Sequence, residues 1–295
     1  MSMVRNDTVG SRIFDVFNVI FLISYAAITV IPFIWIIATS FATQAEIAAR
    51  PFFLIPRQFQ LDGYRYILSS RILPRAMWVS VWTTIVGTLI SMALTLTFAY
   101  PLSKKYLKGR TPLLLMVTFT LVFSGGMIPT FLNVMNLGLL NTYWSLILPG
   151  AIGTWSLLVV KNFFQAFPAE LEDSAKIDGA SDLTVFIKIV LPLSTAVIAT
   201  FSLFYAVGYW NAFRPALLFI PSMPERWPLP LILRNIVMMG SGHIDDANFD
   251  PAMILPPTES IRSAVIVFAT VPILLVYPFL QKHFAKGVLI GAIKG

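Results

Sequence analysis

Long uncharged runs alternate with short charged segments along the chain. The uncharged runs extend over Val16 to Phe41, Ala76 to Ser103, Thr111 to Val160, Ile189 to Phe213 and Ser263 to Gln281. A membrane-spanning helix needs about 20 predominantly apolar residues, so each run is long enough to cross a bilayer. The pattern predicts an all-α integral membrane protein that forms a single transmembrane domain.

The third run is too long for one helix, and polar residues and a glycine interrupt it between Asn133 and Asn141. Such residues favour a turn. Dividing the run at this point gives six transmembrane helices. The predicted spans cover about 16–41, 77–100, 112–132, 143–164, 190–213 and 261–281. With an even number of spans, both termini lie on the same side of the membrane.

The lysines indicate which side that is. In the six-span arrangement every lysine lies in, or at the edge of, a loop on the side of the termini, and the short segment Pro101–Arg110 is densely basic. Positive residues close to span ends favour the cytoplasm, so both termini are predicted to be cytoplasmic. Several arginines fall on the opposite side, but in longer segments that also carry acidic residues.

Composition narrows the possible functions. Hydrophobic residues make up 57% of the chain and charged residues 12%, about half the charged share of a soluble domain. The chain has no cysteine, which excludes thiol chemistry, and no GxxxxGK[ST] phosphate loop, so it should not bind ATP by that route. The net charge of +7 is spread between apolar runs and indicates membrane orientation rather than a nucleic-acid partner.

The inner segment 166–188, between the fourth and fifth spans, is polar and mostly acidic. Pro168 suits the first position of a helix. Gly179 stands where a left-handed residue would end that helix, and Ser181 or Asp182 can cap a second one. The segment is therefore predicted to form a helix–turn–helix that is too short to be stable unless it docks on something.

This segment resembles the EAA loop of importer-type ABC permeases. The family pattern is EAA, three residues, Gly, nine residues, Ile, one residue and Leu-Pro. Here Asp173-Ser174-Ala175 takes the EAA positions, followed at the family spacing by Gly179, Ile189 and Leu191-Pro192. The departure is Asp-Ser in place of Glu-Ala, which keeps one negative charge and one small side chain.

The resemblance extends over essentially the whole chain and is closest to the carbohydrate branch. The run Ile177–Ser181 and the ending Lys286–Gly295 are similar to permeases of polysaccharide and oligosaccharide importers, such as the smaller permease subunit of bacterial alginate importers. The resemblance implies the type I ABC importer permease fold in a bacterial cytoplasmic (inner) membrane. It also implies an oligosaccharide substrate, with an alginate-like acidic oligosaccharide as the specific expectation.

The resemblance further implies the partners. Two permeases, expected to be related but not identical, form the pore within membrane lipid. Two ATPase subunits beneath them bind ATP and Mg, and an extracytoplasmic solute-binding protein delivers the sugar. The chain itself is then no enzyme and holds no cofactor or metal. The residues that the resemblance assigns to ATPase coupling are Glu170, Glu172, Asp173, Ala175, Asp178 and Gly179.

Sugar contacts are expected where aromatic and amide side chains gather within the spans, because sugars bind aromatic faces and hydrogen-bonding groups. These candidates are Trp155, Tyr205, Tyr209, Trp210 and Asn211. The other interpretation is an aromatic belt at the membrane interface. The periplasmic loop 214–258 is expected to contact the binding protein, or else to be a passive connector.

Two further alternatives stay open at this point. The chain could belong to an importer branch for peptides or metals, although its ending favours carbohydrate. An ion-coupled secondary carrier or channel would work without an ATPase. Such a carrier would be expected to have ionisable residues inside the membrane, whereas the spans have uncharged cores.

Overall fold

The computed structural model describes residues 9–240 and 258–292, and every regular element in these ranges is helical. The all-α prediction is therefore confirmed for this part of the chain. Residues 241–257 of the predicted outer loop lie outside the described residues. The α-helices, numbered in chain order, are α1 Val9–Ser40, α2 Gln44–Ala49, α3 Asp62–Ser69, α4 Ile72–Ser103, α5 Arg110–Val122, α6 Met127–Asn136, α7 Trp144–Ile147, α8 Thr154–Gln165, α9 Ala169–Ile177, α10 Asp182–Val185, α11 Leu191–Leu193, α12 Thr195–Asn211, α13 Arg214–Phe219, α14 Leu229–Gly240 and α15 Glu259–Ala292.

Three helices in the described ranges are long and apolar enough to cross a membrane alone: α1, α4 and the Glu259–Val276 part of α15. Three further helix pairs pass the same test only when each pair is taken together. The bend is 119° between α5 and α6, 52° between the α7 segment and α8, and 80° between the segment ending in α11 and α12. Counting each pair as one span gives up to six. The six-span arrangement and the side of the termini stay predictions.

The bend between α5 and α6 falls inside the predicted span 112–132, where the sequence analysis expects no break. It occurs at Gly126, whose φ of 92° and ψ of −179° are open to essentially no residue but glycine. The predicted interruption between Asn133 and Asn141 instead matches the turn that follows α6. Gly138 and Asn141 both have left-handed backbones there, with φ of 67° and 59°.

The described residues fall into two compact units. The first contains α1, α2, α3 and the first part of α15. Helix α3 approaches α15 closely, because a Cβ added at Gly63 would lie 2.8 Å from the Cβ of Ala264. The most apolar window of α1 is 0% buried within this chain, so this helix offers its surface to lipid or to another chain. The buried core of this unit is formed by Ala38, Ala42, Ile47 and Phe53.

The second unit runs from Arg71 to Asn235 and contains α4 to α13. Helix α4 lies at its centre and packs against α8 and α12. The C-terminal end of α4 meets the segment 166–188, and its middle meets the bend between α7 and α8. One helix therefore touches both regions in which functional residues are predicted. The buried core consists of Met92, Ala99, Tyr100, Leu102, Leu157, Val160, Phe164, Val185, Phe186, Val190 and Phe201.

Candidate coupling surface and translocation path

The predicted helix–turn–helix in segment 166–188 is present. Pro168 precedes α9 as its N-cap, one position earlier than predicted, a difference within the usual uncertainty of helix ends. Gly179 ends the helix in the left-handed region, with φ of 79°, and its N–H donates to the carbonyl of Lys176 at 3.0 Å. Ser181 caps α10 by accepting from the N–H of Thr184 at 3.3 Å. The local signals in the sequence are confirmed here.

A π-helical turn, Phe186–Val190, prolongs α10 and leads into α11. Pro192 in α11 has no N–H to donate to the carbonyl four residues earlier, and its ring crowds that carbonyl. The wider turn accommodates both effects, since π turns occur where the regular helical ladder is interrupted. The coupling segment is thus joined directly to the bent span that ends in α12.

The six predicted coupling residues differ in their exposure to solvent. Glu170, Asp173, Asp178 and Gly179 are exposed on the segment. Ala175 is half-buried and packs against the hydrophobic core of this unit. Their proposed role in binding an ATPase stays a prediction, and it fits the four exposed residues best.

Glu172, the sixth predicted residue, is turned inward. Its side chain is only 10% exposed, and both carboxylate oxygens accept from the Nζ of Lys104, which is 13% exposed. Lys104 is the C-cap of α4, and its Nζ also lies 4.5 Å from the centre of the Tyr100 ring. Glu172 therefore binds α9 to α4 within the chain.

A second, more exposed set of contacts joins α9 to α10 and to Tyr106 in the loop after α4. Lys176 and Asp182 form an ion pair at 2.8 Å, with side chains 36% and 58% exposed. The hydroxyl of Tyr106 donates to Asp182 at 3.3 Å and accepts from Lys176 at 3.4 Å. The hydrogen bond between the charged partners raises the pKa of Lys176 and lowers the pKa of Asp182.

Four large apolar side chains in this polar segment are exposed, and the sequence analysis did not predict a role for their exposure. Leu171, Ile177, Leu183 and Ile187 are 42%, 86%, 66% and 52% exposed. Ile177, the most exposed of them, lies directly before Asp178, so apolar and acidic groups both reach the surface at the end of α9. The signal available in the sequence was their position within an otherwise polar stretch.

A cavity of about 230 Å³ lies beside the bend between α7 and α8. Of the predicted path residues, Tyr205 and Tyr209 contribute to its wall. The hydroxyl of Tyr205 is engaged within the protein: it accepts from the N–H of Gly153 at 3.0 Å and lies 2.7 Å from the Oγ1 of Thr95. The remaining lining residues are Ser145, Leu146, Pro149, Gly150, Phe204, Gly208, Ala212, Pro215 and Phe219.

Tyr209, one helical turn later, is held in a similar way. Its hydroxyl lies 2.8 Å from the Oγ of Ser91 and donates to the carbonyl of Ile147 at 3.4 Å. A Cβ at Gly87 would lie 2.8 Å from carbons of the Tyr209 ring, so only glycine leaves room for the ring here. The two tyrosines thus join α12 to α4 and to both sides of the bend.

The other predicted path residues do not line this cavity. Trp155 is 55% exposed, and its ring lies 5.7 Å from that of Phe201. Trp210 is half-buried, while Asn211 is exposed and donates to the carbonyl of Val207 at 2.9 Å. Aromatic residues one turn apart pointed to Tyr205 and Tyr209, but their hydroxyl partners lie far away in sequence and could not be read from it.

In its described residues the chain combines long apolar helices with a helix–turn–helix at EAA spacing, and these are the features of an ABC importer permease. Residues 106–290 match the family model described as "Binding-protein-dependent transport system inner membrane component", and the chain belongs to this family.

Its relatives agree. The chain is 54% identical to Protein LplC of Bacillus subtilis over 291 residues, covering 98% of each chain. It is 53% identical over 285 residues to the polygalacturonan/rhamnogalacturonan transport system permease protein YtcP of the same organism, covering 97% of this chain and 99% of YtcP.

A solved structure shows the same fold. The match has a TM-score of 0.85 and 28% sequence identity, and covers 94% of this chain and 98% of the other. That structure is a bacterial ABC transporter involved in the import of the acidic polysaccharide alginate.

These comparisons confirm the resemblance to carbohydrate-type importer permeases and the predicted importer fold. The relatives are transport-system permeases, so this chain is a transport subunit and not an enzyme. Membership of this family also argues against the alternative of a carrier or channel that works without an ATPase.

Proposed function

We propose that this chain is one of two related permease subunits that form the pore of an ATP-driven oligosaccharide importer in a bacterial cytoplasmic membrane. Relatives support a sugar substrate. YtcP is named for polygalacturonan and rhamnogalacturonan, and the similar solved transporter imports alginate. These polymers share carboxylate-bearing sugar units. The substrate proposed here is therefore an acidic, uronate-containing oligosaccharide, alginate-like in charge.

The geometry of α9 is the observation that supports coupling to an ATPase subunit. The helix is short, begins directly after Pro168 and is followed by the left-handed Gly179. It presents Glu170, Asp173 and Asp178 outward, next to exposed apolar side chains such as Ile177. This arrangement suits a cleft on an ATPase subunit that binds ATP and Mg. Two such subunits are proposed, one beneath each permease.

The cavity beside the bent span is proposed as part of the sugar path. Because the hydroxyls of Tyr205 and Tyr209 have partners within the protein, the ring faces are what they offer to a sugar. Trp155, Trp210 and Asn211 would act elsewhere along the path or against the partner permease. Loop 214–258 is proposed to contact the solute-binding protein that delivers the sugar.

Uptake measurements test the substrate. A strain that lacks this chain is complemented with the wild-type gene and supplied with labelled oligogalacturonate, alginate oligosaccharide or a neutral arabino-oligosaccharide. The proposal predicts ATP-dependent uptake of an acidic sugar that requires the chain. Uptake of the neutral sugar alone would contradict the acidic substrate, and uptake that persists without ATP would contradict the importer mechanism.

A further inference from the structure

We propose that Lys104 is a positioning residue that transmits movement of the coupling helix α9 directly to α4, through its buried ion pair with Glu172. The inference rests on the proposed function, since it assigns one route by which ATPase movement reaches the pore. Neither the EAA spacing nor the family match identifies Lys104, which lies on the inner loop after α4.

Burial of the Lys104–Glu172 ion pair opposes the separation of its two charges. Both side chains are nearly buried, at 13% and 10% exposure, and both carboxylate oxygens contact the ammonium group. Taking either charge away would leave the other buried without its counter-charge, which is strongly unfavourable. A shift of α9 therefore moves α4 with it rather than opening the pair.

Aromatic packing stiffens the same junction. Tyr100, one turn before Lys104, lies under the Lys104 ammonium and stacks on Phe186 with ring centres 4.8 Å apart. Its edge also meets Phe164 near the end of α8 at 6.1 Å. The elements that enter and leave the coupling segment therefore converge on the C-terminal end of α4.

Helix α4 extends the connection to the cavity. Thr95 and Ser91, which hold Tyr205 and Tyr209, lie on the same helix as Lys104. At 1.5 Å per residue, Thr95 is about 14 Å and Ser91 about 20 Å from Lys104 along the helix axis. One rigid helix therefore joins the coupling segment to both tyrosines, with no loop between them.

The exposed link made by Lys176 and Asp182 is a weaker candidate for this role. Its side chains are 36% and 58% exposed, and solvent screens exposed pairs. Lys105 is exposed and adjacent to Lys104, and therefore provides a matched control for charge reversal at this loop.

The test uses the complete importer in proteoliposomes and measures sugar taken up per ATP hydrolysed. Lys104→Glu is expected to keep the ATPase bound but to lower this ratio at least tenfold, whereas Lys105→Glu keeps the wild-type ratio. The double variant Lys104→Glu/Glu172→Lys is expected to recover most of the ratio. A merely structural role would lower protein yield without changing the ratio of the assembled complex.

A second measurement tests the same connection in case the exchanged side chains of the Lys104→Glu/Glu172→Lys variant do not pack in the buried site. Because the chain has no cysteine, Lys104→Cys/Glu172→Cys can be joined within it by a short bis-methanethiosulfonate linker. The linker is expected to restore the ratio and a reductant to abolish it again. Normal coupling in Lys104→Glu, or no recovery with either swap or linker, overturns this inference alone. Absence of ATP-driven uptake by the wild type overturns the proposed function and this inference with it.

Discussion

The C-terminal end of α4 and its middle are both joined to candidate functional elements, but by different chemistry. At the C-terminal end, charged groups form the contact, with Lys104 bound to Glu172. In the middle, neutral hydroxyls do so, with Tyr205 bound to Thr95 and to the backbone of Gly153. The difference follows from the surroundings, because a charge within the hydrocarbon region costs several kcal/mol whereas a hydroxyl can be satisfied by one neighbour. This difference agrees with the predicted span 77–100, which contains Ser91 and Thr95 but ends before Lys104.

The largest effect is expected from breaking the buried ion pair. Glu172→Ala leaves Lys104 buried without a counter-charge and should lower the free energy of unfolding by about 3 kcal/mol. Denaturant titration in mixed micelles measures this loss. The control is Lys104→Met/Glu172→Leu, which removes both charges and should lose much less. An equal loss in the control would show that packing, not charge, holds the junction.

The hydrogen bonds of the Tyr205 and Tyr209 hydroxyls should contribute less to stability than the ion pair, but by an amount that can still be measured. Tyr205→Phe deprives the N–H of Gly153 of its acceptor and should cost about 2 kcal/mol, within the usual range for an unsatisfied buried group. Tyr209→Phe is the matched variant and should cost less, because its second contact is 3.4 Å long. The same denaturant titration compares the two variants. An equal loss in both, or a larger loss in Tyr209→Phe, would contradict the stronger contribution of the Tyr205 hydroxyl.

Alanine substitutions at two glycines, one on α4 and one on α12, should change the stability of the protein in opposite directions. Gly87→Ala places a Cβ against the Tyr209 ring and should destabilise the protein by about 1 kcal/mol. Gly208→Ala meets nothing within 4 Å on α12 and should stabilise it by up to about 1 kcal/mol, because alanine favours a helix. Thermal unfolding of both variants checks this, and two shifts of the same sign would contradict the close contact.

The smallest effect is expected at the exposed ion pair. Asp182→Asn should cost less than about 1 kcal/mol at neutral pH, since the pair is partly solvated. The pKa of Asp182 is lowered, so its contribution is present above the unfolded pKa and lost as pH falls through the folded one. The raised pKa of Lys176 keeps its contribution until pH rises above the ordinary lysine range. Melting temperatures of wild type and variant should therefore converge in acid and stay apart at neutral pH.

Local signals made the coupling segment predictable. Pro168, Gly179 and Ser181 each act through backbone geometry or a cap within a few residues, and the structure places all three at helix ends. The apolar runs were likewise long enough for their length to predict the apolar helices. The bend at Gly126 was missed although Gly125 and Gly126 form a Gly-Gly pair that favours a turn, because the surrounding apolar run is long enough for one span.

Long-range contacts were not predictable in the same way. Glu172 looks like its acidic neighbours in the sequence, and only folding brings it to Lys104. Tyr205 and Tyr209 were selected for their aromatic rings, whereas their hydroxyl partners lie on α4 and near the bend. Residue type and spacing define what a side chain can do, but the partner it finds depends on the packing of distant helices.

The most direct test of the central claim is whether α9 holds an ATPase. The complex is purified in mild detergent from the native cell, and bound proteins are identified by mass spectrometry for wild type, Gly179→Pro and Gly138→Pro. Both glycines have a positive φ and donate an N–H, so proline disturbs each backbone alike, but Gly138 lies in the turn after α6. The account predicts an ATPase and a second permease with the wild type and with Gly138→Pro, and loss of the ATPase with Gly179→Pro. A wild-type chain that purifies with no ATPase, or a Gly179→Pro chain that retains it fully, would contradict the account.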